Sequence, residues 1–145
     1  MSAPQKILDL IATFKNNADH HTSSAFNEAM CRIQFVNPVF KCLGWDMDNE
    51  QAFAPDYSFG IGRDRKFYVE AKKPAVNIKK ASEPAYQLRR YAWSKKLPLS
   101  ILTNFAEFAV YDGRVPPDKD DNSARIGRTN TMFLAFPICE RNVSF

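Results

Sequence analysis

The segment Val69-Glu-Ala-Lys-Lys-Pro74 sets a carboxylate and an ammonium two residues apart, directly after the apolar run Phe67-Tyr68-Val69. Side chains alternate between the faces of a strand, so Glu70 and Lys72 project together and Ala71 faces the other way. Burying such groups costs several kcal/mol unless they pair with each other or hold a metal. Asp56 interrupts the apolar positions Phe53, Tyr57 and Phe59 of the stretch before it. With a hairpin turn centred near residues 63 and 64, facing positions sum to about 127, which sets Asp56 across from Glu70 to within a residue or two.

Two neighbouring carboxylates repel unless a cation holds them. A small set of hard oxygen donors suits Mg²⁺, or Mn²⁺ in its place, with water and phosphate oxygens completing the shell. A lysine two positions on can orient or deprotonate a water. Together these are the parts of metal-assisted phosphodiester hydrolysis. Glu-x-Lys alone is weak evidence, because an exposed same-face salt bridge has the same spacing and contributes little. Its weight here comes from the strand before it, Asp56 at hairpin distance, and the basic tract after it.

That tract is the chain's main charge asymmetry. Eight basic residues and one acidic residue lie between Lys72 and Lys96, against twelve basic and fifteen acidic in the remainder. A cationic quarter on a mildly acidic body is the footprint of a polyanion binder, although a solvated helix face has the same composition. Gln87 and Tyr91 stand four apart and share one face of the helix predicted there. They could brace bound waters or a phosphate, the alternative being a packed Tyr91 and a solvated Gln87.

The elements that must position these residues follow from periodicity. Residues 5–16 form a helix with Ile7, Leu8, Ile11 and Phe14 on one stripe. Thr22-Ser23-Ser24 offers N-caps for a second helix carrying Phe26, Ala29, Met30, Ile33 and Val36. A short third helix starts at Asn37-Pro38, meets the second at a kink, and ends at Gly44. Strands are predicted over 52–61 and 66–71 as a hairpin around Gly62-Arg-Asp-Arg65, and over 99–103 and 108–111. A helix over about 84–96 crosses between the two pairs. Residues 113–130 are an exposed loop, and 131–136 are one more apolar segment, strand or helix. The fold class is α/β (α+β), a small mixed sheet flanked by helices in a single domain.

At 145 residues and 45% apolar composition the chain can bury a real core. No apolar run approaches a membrane span and the first residues lack a signal-peptide pattern. Cys31, Cys42 and Cys139 form no Cys-x-x-Cys pair, so neither a disulfide framework nor structural zinc is supported, and a reducing cytoplasm is the simplest compartment. His20 and His21, adjacent at a helix boundary, read as surface residues, and Trp45 and Trp93 as packing residues. There is no Walker-type loop, dinucleotide fingerprint or paired nucleophile.

Four ordered blocks, Pro55-Asp56-Tyr57, Val69-Glu70-Ala71-Lys72-Lys73-Pro74, Gln87-Leu-Arg-Arg-Tyr91-Ala-Trp93 and Ile101-Leu-Thr-Asn104 with Phe108-Ala-Val-Tyr-Asp112, resemble the nuclease domain of type I restriction enzyme R subunits and their type IIG relatives, a branch of the PD-(D/E)xK superfamily. The upstream run Phe26-Asn-Glu28, Arg32, Phe35-Val-Asn-Pro38 and Leu43-Gly-Trp-Asp46 looks like the helix that opens that domain. The resemblance covers roughly residues 22–112. It implies a restriction-endonuclease-like αβββαβ core and Mg²⁺-dependent DNA cleavage. By position it makes Asp56 and Glu70 metal carboxylates, the Ala71 carbonyl a further ligand, Lys72 the catalytic lysine, and Gln87 and Tyr91 a Q-x-x-x-Y pair. Glu28 takes the place of an extra first-helix carboxylate, a weaker transfer.

The sequence therefore points to a restriction-type DNA endonuclease domain, with Lys73, Lys79, Lys80, Arg89 and Arg90 contacting phosphates. Its partners would be helicase, methyltransferase or specificity modules, and a second copy for a double-strand cut. The rivals are a catalytically silent nucleic-acid-binding module using the same 72–96 segment, and a protein-interaction domain.

Overall fold

A computed structural model describes residues 4–47 and 55–120, together with the backbone of 132–135. Helix α1 spans Gln5–Asn16, as its apolar stripe predicts, and buries Ile7 and Phe14. Leu8, at the edge of that stripe, turns out to solvent. A single turn, α2 (Ala18–His21), follows. The next helix, α3 (Glu28–Cys31), is capped by Asn27, whose side chain accepts from the Met30 amide at 2.9 Å. Thr22 and Ser23 do not cap it, because their hydroxyls are engaged by the carbonyls of Ala18 and His20.

Where the two helices meet, a π turn over Arg32–Val36 carries the chain into α4 (Asn37–Cys42). Pro38 has no N–H to return to the carbonyl four residues back, and the wider turn absorbs that gap. At the far end Gly44 takes φ +87°. Its amide reaches the Lys41 carbonyl and the Trp45 amide reaches that of Phe40, both at 3.0 Å, which closes the helix in a Schellman motif.

The sheet has five strands in the order β1-β2-β3-β4-β5. β1 (Tyr57–Ile61) and β2 (Asp64–Ala71) form the expected hairpin around Gly62-Arg63. The crossing helix α5 (Ser82–Ser94) then brings β3 (Leu99–Thr103) back parallel to β2. Parallel neighbours require such a crossover. β4 (Glu107–Asp112) and β5 (Met132–Ala135) complete the sheet, each antiparallel to the strand before it. Within the apolar segment at 131–136, residues 132–135 form this last strand. This mixed α+β architecture is compatible with a restriction-endonuclease-like core. Among the described residues two strands precede the crossing helix and three follow it; residues 48–54 lie outside. So do most of the predicted loop (121–130), Cys139, and the terminal segment apart from the backbone of β5.

The pleat sorts two cores. Phe59, Phe67, Val69 and Ala71 face α1–α4 and meet Phe14, Phe26, Phe35 and Phe40. Tyr68, Leu102, Ala109 and Tyr111 face α5 and meet Ala85, Leu88 and Ala92. His21 is a correction to the surface reading: it is buried, with its ring 4.9 Å from those of Phe26 and Phe35 and Nδ1 3.2 Å from the Phe14 carbonyl. α2 prolongs the first helical layer by a turn and rolls that ring inward. Among the described residues no helix is long and apolar enough to cross a membrane, and Cys31 and Cys42 are free thiols.

Candidate active site

The hairpin register decides which carboxylates meet. Tyr57 pairs with Val69 and Ser58 with Tyr68, so the position across from Glu70 is Asp56, one residue before β1 begins. The Asp56 amide donates to Glu70 Oε2 at 3.3 Å, and the Ala71 amide donates to Asp56 Oδ2 at 2.8 Å. Lys72 Nζ donates to Glu70 Oε1 at 2.8 Å and lies 3.5 Å from Glu28 Oε2. Lys72 is held in turn by its own amide, which extends the β2–β3 ladder to the Thr103 carbonyl at 2.8 Å. The end of β2, the approach to β1 and the first turn of α3 therefore bring Glu28, Asp56, Glu70 and Lys72 to one place.

Arg32 belongs to this cluster. It stands four residues beyond Glu28, at the start of the π turn, and its Nη1 lies 3.2 Å from Asp56 Oδ1. Nε donates to the Tyr57 hydroxyl at 3.2 Å, the guanidinium lies over the Tyr57 ring at 5.1 Å, and that hydroxyl donates to Asn37 Oδ1 at 2.6 Å. Arg32 is a site residue beyond those expected from the sequence. The signal was its i, i+4 spacing from Glu28, which puts both on one helix face.

The acidic and basic side chains here are between one-sixth and two-fifths exposed, so their interactions are neither bulk-screened nor fully desolvated. Burial raises the Glu28 carboxyl above its ordinary value, Asp56 and Glu70 push the same way, and Lys72 opposes them. For Lys72, burial acts to lower the ammonium, but the hydrogen bond and charge of Glu70, with Glu28 and Asp56, outweigh it and leave the pKa raised. Lys72 is therefore protonated at neutral pH, a donor and counter-charge rather than a proton acceptor.

Among the described residues no three His, Cys, Asp or Glu side chains form a ready-made metal cluster. Mg²⁺ does not require one: one or two carboxylates with water and phosphate oxygens suffice. Asp56 and Glu70, joined through the Asp56 amide, supply two hard oxygen donors, and Ala71, the residue after Glu70 at the end of β2, adds a backbone carbonyl. This donor set fits a small hard cation.

Other residues expected at the site lie elsewhere. Gln87 is exposed and donates to Glu83 at 3.3 Å, on a groove that includes Tyr86, Arg90 and Lys119. Tyr91 is half-buried on the α5 side of the sheet, with Arg90 5.8 Å from its ring. Neither hydrogen-bonds to Asp56, Glu70 or Lys72. Lys80 and Arg90 are exposed, and Lys73 and Lys79 half-exposed, with Lys79 3.8 Å from Glu107. Arg89 is a correction: it is 3% exposed, with its guanidinium 5.7 Å from the Tyr111 ring and Nη2 3.5 Å from the Pro116 carbonyl. It shares the inward face of α5 with Ala85 and Ala92, a spacing visible in the sequence, and cannot lie on a phosphate-binding surface.

Over 134 aligned residues the chain is 35% identical to the type II restriction enzyme and methyltransferase RM.Eco57I of Escherichia coli. The chain is a homologue of a restriction enzyme. The match takes in 77% of this chain and 13% of that relative, so the chain spans a small part of the protein it resembles. No family model matches the chain, and no solved structure matches it.

Proposed function

We propose that this chain is the DNA-cleaving domain of a restriction enzyme, a Mg²⁺-dependent endonuclease of the PD-(D/E)xK kind. The observation that carries the reading is the meeting of Asp56 and Glu70 at one end of the sheet, with Lys72 Nζ 2.8 Å from Glu70. Asp56, Glu70 and the Ala71 carbonyl would hold the ion, and Glu28 would add charge at the rim. When bound, Mg²⁺ would supply Lewis acidity toward the phosphate and an activated water. Lys72, fixed between Glu70 and Glu28, donates a hydrogen bond to the attacking water and balances charge that builds on the phosphate. Lys73, Lys79, Lys80 and Arg90 would take neighbouring phosphates without reading sequence.

The restriction-enzyme relative supports DNA as the substrate, and its second activity suggests a methyltransferase module beside this domain in a longer protein. A second reading has its own observation: each carboxylate of the pair already has a basic partner, Arg32 for Asp56 and Lys72 for Glu70. A catalytically silent DNA-binding module would look the same. Divalent-ion binding to wild type and Asp56→Asn separates the two. Loss of binding in the variant supports the nuclease, and equal binding removes the metal site on which it depends.

A further inference from the structure

The Asp56 carboxylate is occupied at both oxygens. Oδ2 accepts from the Ala71 amide at 2.8 Å, a contact fixed by the strand, whereas Oδ1 is covered by Arg32 Nη1 at 3.2 Å. Arg32 has a second anchor independent of the acid, since Nε and the face of its guanidinium rest on Tyr57, and Asn37 fixes the Tyr57 hydroxyl. The arginine can therefore leave Oδ1 and still be held, while Asp56 keeps its orientation through Ala71.

Counting charge gives this exchange a purpose. Among the described residues, in their ionised forms, Glu28, Asp56 and Glu70 carry three negative charges, and Arg32 and Lys72 two positive ones. The cluster is one short of neutral. A divalent cation would overshoot by one positive charge, and a single phosphodiester would restore balance. Without Arg32, the divalent cation alone would balance the cluster.

We infer that Arg32 is a counter-ion that withholds Asp56 from a divalent cation until a phosphodiester reaches the site, so that metal and substrate load together. This rests on the proposed nuclease reading and assigns Arg32 a positioning role, not a catalytic one. Removing the guanidinium also removes an orienting contact, which would weaken metal binding. The charge effect has the opposite sign and is the larger, because the Ala71 amide still orients the acid.

The test is Mn²⁺ titrated calorimetrically into the full chain, with and without dimethyl phosphate, an uncleaved phosphodiester monoanion. Wild type should bind Mn²⁺ weakly and be tightened severalfold by dimethyl phosphate. Arg32→Met should bind Mn²⁺ about tenfold more tightly on its own and gain little from dimethyl phosphate, an effect the size of one nearby charge in a partly screened site. Arg32→Lys, which keeps the charge, should stay near wild type and guards against a folding artefact in the Met variant. Equal or weaker Mn²⁺ binding by Arg32→Met, or equal tightening by dimethyl phosphate in both proteins, overturns the inference. If Asp56→Asn binds Mn²⁺ as wild type does, the nuclease reading itself is what fails.

Discussion

Ala71 donates its backbone amide to Asp56 Oδ2 across 2.8 Å, so the strand that carries Glu70 and leads into Lys72 also fixes the carboxylate of its neighbour. Asp56→Asn can keep only part of this bond and removes the charge facing Arg32. Leaving a half-buried guanidinium without its carboxylate should cost about 1–3 kcal/mol of stability. Chemical denaturation of Asp56→Asn beside Asp56→Asn/Arg32→Met measures it, the double variant recovering part of the loss.

The cationic surface predicts a salt-dependent affinity for DNA. Lys80→Ala and Arg90→Ala should each lower the slope of log K against log salt by about 1, uniformly across DNA sequences. Arg89→Ala should behave differently, lowering thermal stability with little change in slope, because its side chain is packed on Tyr111. Fluorescence anisotropy over a salt series, paired with melting curves, distinguishes them.

Cys31 predicts an alkaline weakness. Burial pushes its thiol from 9.0 up to about 12, with Glu28 adding to the effect. A raised pKa in the folded state means that the ionised form is disfavoured there, so stability falls as pH climbs from 9.0 toward about 12. Lys72 acts in the same direction, because its raised pKa gives stability that is present below 10.5 and lost as pH rises through the folded value. Cys31→Ala should show a shallower loss of stability in that window than wild type, read from denaturant midpoints. At neutral pH, Cys42 should react with a thiol reagent while Cys31 does not.

The aromatic core predicts which single change breaks the fold. Phe35 packs against Phe14 at 5.1 Å and Phe105 at 4.7 Å, with His21 at 4.9 Å. Phe35→Ala should cost about 3–5 kcal/mol in equilibrium unfolding. Gly113→Ala should also destabilise, because a Cβ there would meet the Leu97 carbonyl, which is backbone and cannot swing aside.

Much of this architecture is legible from local pattern. The bounds of α1 follow from its apolar stripe, Gly44 ends α4 because only a left-handed residue closes it, and the short turn fixes the register that sets Asp56 across from Glu70. Other features depend on tertiary partners that no local pattern names. His21 is inside because Phe14, Phe26 and Phe35, from three different helical segments or their connections, form its cage, and Asn27 caps α3 while the Thr22 and Ser23 hydroxyls bond backward. The spacing of Arg32 from Glu28 sets both on one helix face, but its contacts to Asp56 and Tyr57 arise only when the hairpin packs there.

The most direct test of the central claim is plasmid nicking with Mg²⁺ by wild type, Glu70→Gln and Lys72→Ala, each shown to be folded, with EDTA as the control. Cleavage by wild type that EDTA abolishes, and that falls by at least about 10²-fold in both variants, is the predicted result. Cleavage by wild type that persists in EDTA, or that both variants retain in full, would contradict it.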